Sequence, residues 1–123
     1  MKLHLTQSEG RHLITGYGPG WVQVNETRHS ASLILTPGQL SDWLIASFEA
    51  LEATHFAKVV DLAPEILLIG TGARLRFPDP VCMKLLAESG IGFEIMDTAA
   101  ACRTYNILMS EGRNVAAALI IES

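Results

Sequence analysis

The sequence predicts an α/β protein on a mixed sheet, with a parallel βαβαβ series in its C-terminal half and an antiparallel hairpin near its N-terminus. Three observations carry this. Residues 66–69 form an unbroken aliphatic run with glycine directly behind it, the mark of a strand buried on both faces. Helix-start signals, Pro78-Asp79-Pro80 and Asp97-Thr98, alternate with such runs from residue 65 onward. Strands and helices in strict alternation with short loops favour parallel strands joined by right-handed crossovers.

In chain order, residues 12–15, 21–24 and 32–35 are short runs rich in β-branched, aromatic and aliphatic side chains. Gly16-Tyr17-Gly18-Pro19-Gly20 separates the first two as a turn, so they pair as a hairpin. Thr36-Pro37-Gly38 closes the third run, and residues 38–50 have no period and read as irregular. Phe56, Val59 and Val60 share one face of a helix over 52–62, which Pro64 ends. After the strand at 66–69, Asp79 caps a second helix with Pro80 at its first position and Cys82, Leu85 and Leu86 turned inward; Gly90 ends it. A strand at 92–96 follows. Asp97 or Thr98 caps a third helix reaching residue 110, with Ala101, Tyr105 and Leu108 on one side and Arg103, Asn106 and Ser110 on the other. Gly112 closes it, and residues 114–121 form the last strand.

At 123 residues the chain reads as one domain, 1–123. Its 49% hydrophobic content needs a sheet covered on both faces, or a partner interface. The net charge is −4, and the nine Lys and Arg residues are scattered, which argues against nucleic acid and against acidic membrane surfaces as partners. Residues 1–10 lack the apolar core of a secretory signal, and the longest apolar run, 115–121, falls short of the ~20 residues that cross a bilayer. The expectation is therefore a soluble, cytoplasmic protein that is not membrane-embedded. Composition leaves its oligomeric state open.

Among candidate sites, Gly70, Thr71 and Gly72 are best placed, because ligands of open α/β sheets settle at the carboxyl ends of strands. Leu75 stands where a dinucleotide fingerprint needs its third glycine, and no Lys-Ser/Thr ending completes a P-loop. If the strands at 66–69 and 92–96 are parallel neighbours, Gly70, Thr71 and Gly72 lie beside Met96, Asp97 and Thr98. That edge would offer helix N–H groups to a small anion, with Arg74 or Arg76 assisting. The plainer alternative is a tight turn with Asp97 or Thr98 capping the helix itself.

Arg103, Asn106 and Ser110, with Arg113 at the helix end, form either a solvated face or a polar recognition surface. Tyr17 and Trp21 read as interface anchors, with core packing the plainer alternative for Trp21. His4, His12, His29 and His55 lie in separate segments with no ligand spacing, so neither a metal nor a cofactor is expected. No Gly-x-Ser-x-Gly elbow marks a nucleophile, and Glu65, Glu94 and Asp97 form no acid–base pair that spacing reveals. No catalytic residue is assigned. Cys82 and Cys102 read as buried, reduced thiols; a redox role would require them to face each other.

The combined order of Gly70-Thr71-Gly72, Met96-Asp97-Thr98, Thr104-Tyr105-Asn106 and Glu111-Gly112-Arg113, with Leu33-Ile34-Leu35-Thr36-Pro37 and Trp43 upstream, resembles a family of small proteins of unknown function. That family includes the mitochondrial complex I assembly factor 3 and the adipogenesis-associated Mth938 domain-containing protein. The resemblance implies a three-layer fold on a mixed central sheet and supplies no catalytic residue. It points to an interaction or assembly protein with a protein partner, related to a respiratory complex. The alternative is a binding protein or enzyme using the edge between Gly70–Gly72 and Met96–Thr98.

Overall fold

A computed structural model describes residues 11–122. The chain forms two sheets. Strands β1 (Ile14–Gly18), β2 (Trp21–Val24) and β3 (Thr27–His29) make an antiparallel sheet in that order. Strands β4 (Leu33–Leu35), β5 (Leu40–Asp42), β6 (Ile66–Gly70), β7 (Gly92–Met96) and β8 (Val115–Leu119) make a five-stranded sheet ordered β5-β4-β8-β6-β7. The helices are α1 (Ala57–Leu62), α2 (Pro80–Glu88) and α3 (Thr98–Ser110).

The five-stranded sheet is mixed. β6 runs parallel to β7 and to β8, whereas β4 is antiparallel to β5 and to β8. The predicted hairpin forms, but with β3 it makes a sheet of its own, and the antiparallel strands of the central sheet are β4 and β5. β8 reads Val-Ala-Ala-Ala-Leu and is buried throughout. Small side chains suit a strand covered on both faces, because they let the flanking layers approach.

Three layers result. On one face of the central sheet, Leu33, Leu68, Ala117 and Leu119 pack with Ala101, Cys102, Tyr105 and Met109 of α3 and with Ile14, Val22 and Val24 of the small sheet. On the other, Ile34, Leu67, Ile69 and Ala118 pack with Phe56, Val59, Cys82 and Leu86. Cys82 and Cys102 therefore lie on opposite sides of the sheet and do not face each other. No helix among the described residues is long and apolar enough to cross a membrane.

The segment expected to be irregular holds β5 and a 3-10 turn, Phe48–Ala50. Trp43 anchors it: its ring meets Phe56 edge-on at 5.6 Å and its Nε1 donates to the His55 carbonyl at 2.7 Å. Three-residue elements are too short to establish a period. The first helix opens as a 3-10 turn, Ala53–Phe56, and ends at Ala63, just before Pro64. Asp79 makes no side-chain cap; Pro80 occupies the first turn and Cys82 N–H donates to the Asp79 carbonyl instead. Asp97, not Thr98, caps α3, accepting from Ala100 N–H at 2.8 Å.

Strand β1 extends through glycines assigned to the turn. Trp21 explains why. It faces away from Val22 and Val24, and its indole lies across β1 so closely that a Cβ on Gly18 would sit 2.6 Å from Nε1. Arg28 stacks over the same ring at 3.7 Å. Trp21 is half-buried outside the core, covering a glycine backbone.

Candidate functional site

The pairing of Gly70 with Met96 brings Gly70–Gly72 beside Met96–Thr98, as the parallel arrangement requires. The two segments meet as a hydrogen-bonded seam. Thr71 N–H donates to the Met96 carbonyl at 2.9 Å, and Thr98 N–H donates to the Gly72 carbonyl at 2.9 Å. The Thr98 hydroxyl accepts from Gly72 N–H at 2.8 Å and donates to the Ile120 carbonyl at 2.7 Å, so one side chain joins the ends of three neighbouring strands. A Cβ on Gly70 would lie 3.0 Å from Thr98 Cα. The Thr71 hydroxyl is buried, donates to the Arg74 carbonyl at 2.7 Å and accepts from Arg76 N–H at 3.1 Å.

Beside this seam, Arg76 turns inward. Its Nη2 donates to the Thr71 carbonyl at 2.6 Å and to Glu122 at 2.7 Å, and its Nη1 reaches Glu49 at 3.1 Å. The guanidinium also stacks over Phe48 at 4.5 Å. Glu122 accepts from Phe48 N–H with its other oxygen at 2.8 Å. Burial pushes the Glu122 carboxyl up, but the Phe48 N–H, Arg76 and Arg74 together hold it below the usual carboxylate range. Of these groups Glu49, Arg76 and Glu122 form one wall of a cleft of ≈ 540 Å³, with Ser30, Ser47, Ile45 and Ile121 among its other residues. Arg76 was legible only as an assistant to an anion, and Glu122 carried no signal, since nothing local announces a pair 46 positions apart.

The outer face of α3 is equally engaged. Arg103 donates to the Tyr17 hydroxyl at 3.0 Å. Asn106 bonds both backbone groups of Ile14, and Ser110 donates to the Ile107 carbonyl at 2.8 Å. Arg113 pairs with Glu65 at 2.9 Å, and that hydrogen bond lowers the Glu65 pKa. Tyr105 is buried and donates to the His12 carbonyl at 2.7 Å; burial raises its hydroxyl pKa.

Among the described residues no three His, Cys, Asp or Glu side chains are grouped to hold a metal; His4 lies outside them. His12 and His55 bond to backbone groups, and among the described residues neither ring hydrogen-bonds to a serine, threonine or cysteine side chain. No buried polar side-chain atom among the described residues lacks a partner. Burial pushes the Cys102 thiol up to about 12 and also raises Cys82, so both thiols are held in their unreactive form.

The model of a protein family of unknown function, DUF498/DUF598, matches residues 14–120. The chain belongs to the DUF498/DUF598 family. A Bordetella parapertussis protein of known crystal structure is similar to this DUF498/DUF598 chain, with a TM-score of 0.86 and 39% identity over 92% of this chain and 98% of that one. A Bordetella pertussis protein described as an Mth938-like domain has a TM-score of 0.80 and 33% identity, covering 94% of this chain and 87% of that one. The Bos taurus NADH dehydrogenase [ubiquinone] 1 alpha subcomplex assembly factor 3 is 33% identical over 109 residues, 87% of this chain and 59% of the bovine protein. The chain spans about half the length of the curated assembly-factor relatives it matches first. In this DUF498/DUF598 protein, the residues that carry the family resemblance are joints: Thr98 ties three strand ends, Tyr105 ties α3 to His12 ahead of β1, and Asn106 ties α3 to Ile14 of the small sheet.

Proposed function

We propose that the protein is a non-enzymatic interaction or assembly factor, serving a respiratory or other membrane complex from the cytoplasmic side through contact with a protein partner. The observation that carries this reading is the match to a complex I assembly factor over 87% of the chain. The engagement of Thr71, Thr98, Asn106 and Arg113 in internal contacts supports it. So does the surface beside Arg76. With Arg76 anchored inward, its neighbours Leu75 and Phe77 stand 51% and 65% exposed, and Val81 is 58% exposed. Apolar residues held outward on an anchored loop suit a protein contact.

The test is a deletion strain complemented with wild type or with a Leu75→Ser, Phe77→Ser variant, with membrane complexes resolved on native gels. Loss of assembled complex in the deletion strain, restored by wild type and less well by the variant, is expected. Unchanged assembly in the deletion strain sinks the reading.

A second reading is a small-molecule or anion site at Gly70–Gly72 and Met96–Thr98; the ≈ 540 Å³ cleft is lined by none of these six residues and reaches Gly72 only through Arg76 and Glu122, so a ligand there would engage Arg76 first. Thermal-shift titration with phosphate and simple carboxylates tests it. A stabilisation lost in Arg76→Met supports the site, and no stabilisation removes it.

A further inference from the structure

β7 is the outer strand of the five-stranded sheet and pairs with β6 alone. Its backbone orientation is fixed at one end, where the Met96 carbonyl accepts from Thr71 N–H and so faces β6. Backbone groups alternate sides along a strand, so those of Glu94 also face β6 while those of Phe93 and Ile95 face outward. Among the described residues nothing bonds to these outward groups. The opposite edge, β5, has three residues; β7 has five, in unbroken register and without proline. Natural edges of that length are blunted, usually by charge. Here the charge is Glu94, exposed and outside every ion pair among the described residues.

We propose that β7 receives an extended segment of a partner protein as a sixth strand, with a Lys or Arg of that segment facing Glu94 and apolar residues beside Phe93 and Ile95. This deepens the interaction reading by naming the chemistry of the partner. Four outward backbone groups supply the hydrogen bonds. Charge selects the occupant. A second copy of β7 that used all four groups, pairing Phe93 with Ile95, would set two Glu94 carboxylates directly opposite each other, whereas a basic residue there is attracted. Phe93 and Ile95 are half-buried on the α2 side, so an added strand would extend that core outward.

Titrating isotope-labelled protein with the blocked peptide Thr-Val-Lys-Val-Thr, followed by amide NMR, tests this. The Phe93 and Ile95 resonances should move saturably. Thr-Val-Glu-Val-Thr should bind more weakly, and Thr-Pro-Lys-Pro-Thr, which lacks the N–H groups that an antiparallel sixth strand turns toward β7, should not move them. In Glu94→Lys, whose site is exposed, the preference should pass to the Glu peptide. Absent shifts at Phe93 and Ile95, equal response to the proline peptide, or no exchange of preference in E94K overturns the proposal. A concentration-dependent dimer through β7 in sedimentation equilibrium overturns it in favour of self-pairing. Peptide binding at β7 with normal complexes in the deletion strain would retain this site and remove the assembly reading; the converse pair of results would do the opposite.

Discussion

Asn106 holds Ile14 by both of its backbone groups, accepting from the N–H at 3.0 Å and donating to the C=O at 2.7 Å. The side chain stands where a neighbouring strand would, at the free edge of β1, and fastens the small sheet to α3. Replacing it with leucine keeps the volume and strands both groups, at a cost of about 2 kcal/mol. Urea denaturation should show the loss, and amide exchange at Ile14 should accelerate more than at Leu68. An unchanged unfolding midpoint would mean that water replaces the carboxamide without penalty.

Thr98 is expected to be more sensitive still, because its hydroxyl both receives from Gly72 N–H and gives to the Ile120 carbonyl. Thr98→Val removes both bonds with little change of shape and should cost about 2–4 kcal/mol, whereas Thr98→Ser should stay within about 1 kcal/mol of wild type. Equal stability of the two variants would contradict the role of the hydroxyl.

Gly72 has φ +100°, and a Cβ there would fall 2.7 Å from Arg76 Nη2 and 2.9 Å from Glu122 Oε1. Gly72→Ala should therefore both strain the backbone and displace the ion pair, lowering stability by more than about 1 kcal/mol. Combining it with Arg76→Met should cost less than the sum of the two changes, which a double-mutant cycle reads directly.

Acid should weaken the same junction. Because folding lowers the Glu122 pKa, the unfolded chain takes up a proton there first as pH falls. The stabilisation is present above the ordinary carboxylate range, about 4.3, and is lost as pH falls through the lower folded value. Glu122→Gln should flatten the acid limb of a stability–pH curve, leaving a slope from Glu65, whose pKa is also lowered but whose exposed pair with Arg113 is screened by salt. A Glu122→Gln curve parallel to wild type would refute the linkage.

Thiol chemistry offers a separate check on the core. Cys82 and Cys102 are both fully buried and both have raised pKa values, so a neutral thiol reagent should label neither quickly in the native protein and both quickly in urea. Fast native labelling of Cys102 would mean that α3 lifts from the sheet.

The parallel half was legible because each of its elements is long enough to declare itself: the run at 66–69, Asp97 before a helix, glycine after it. β5 was not, since Leu40–Asp42 is shorter than any period and is defined by its pairing to β4. Periodicity placed Asn106 correctly on the polar side of α3, yet could not say that another sheet covers that side. The Arg76–Glu122 pair lies beyond local reading altogether, because the contact exists only after β6 and β8 have come together. Strand order is likewise not local: neighbouring elements in sequence suggest neighbours in space, and β8 inserts between β4 and β6.

That insertion governs the order of events at synthesis. Among the described residues β8 follows every other strand in chain order and is the bridge between β4 and β6, so a nascent chain that has reached β7 but not β8 holds two half-sheets, each with an apolar flank still uncovered. A ribosome stalled before Val115, or a protease cutting there, would release something prone to stick and not a natively folded fragment. Demand for a chaperone should be concentrated in that interval and should end when Val115–Leu119 slots home.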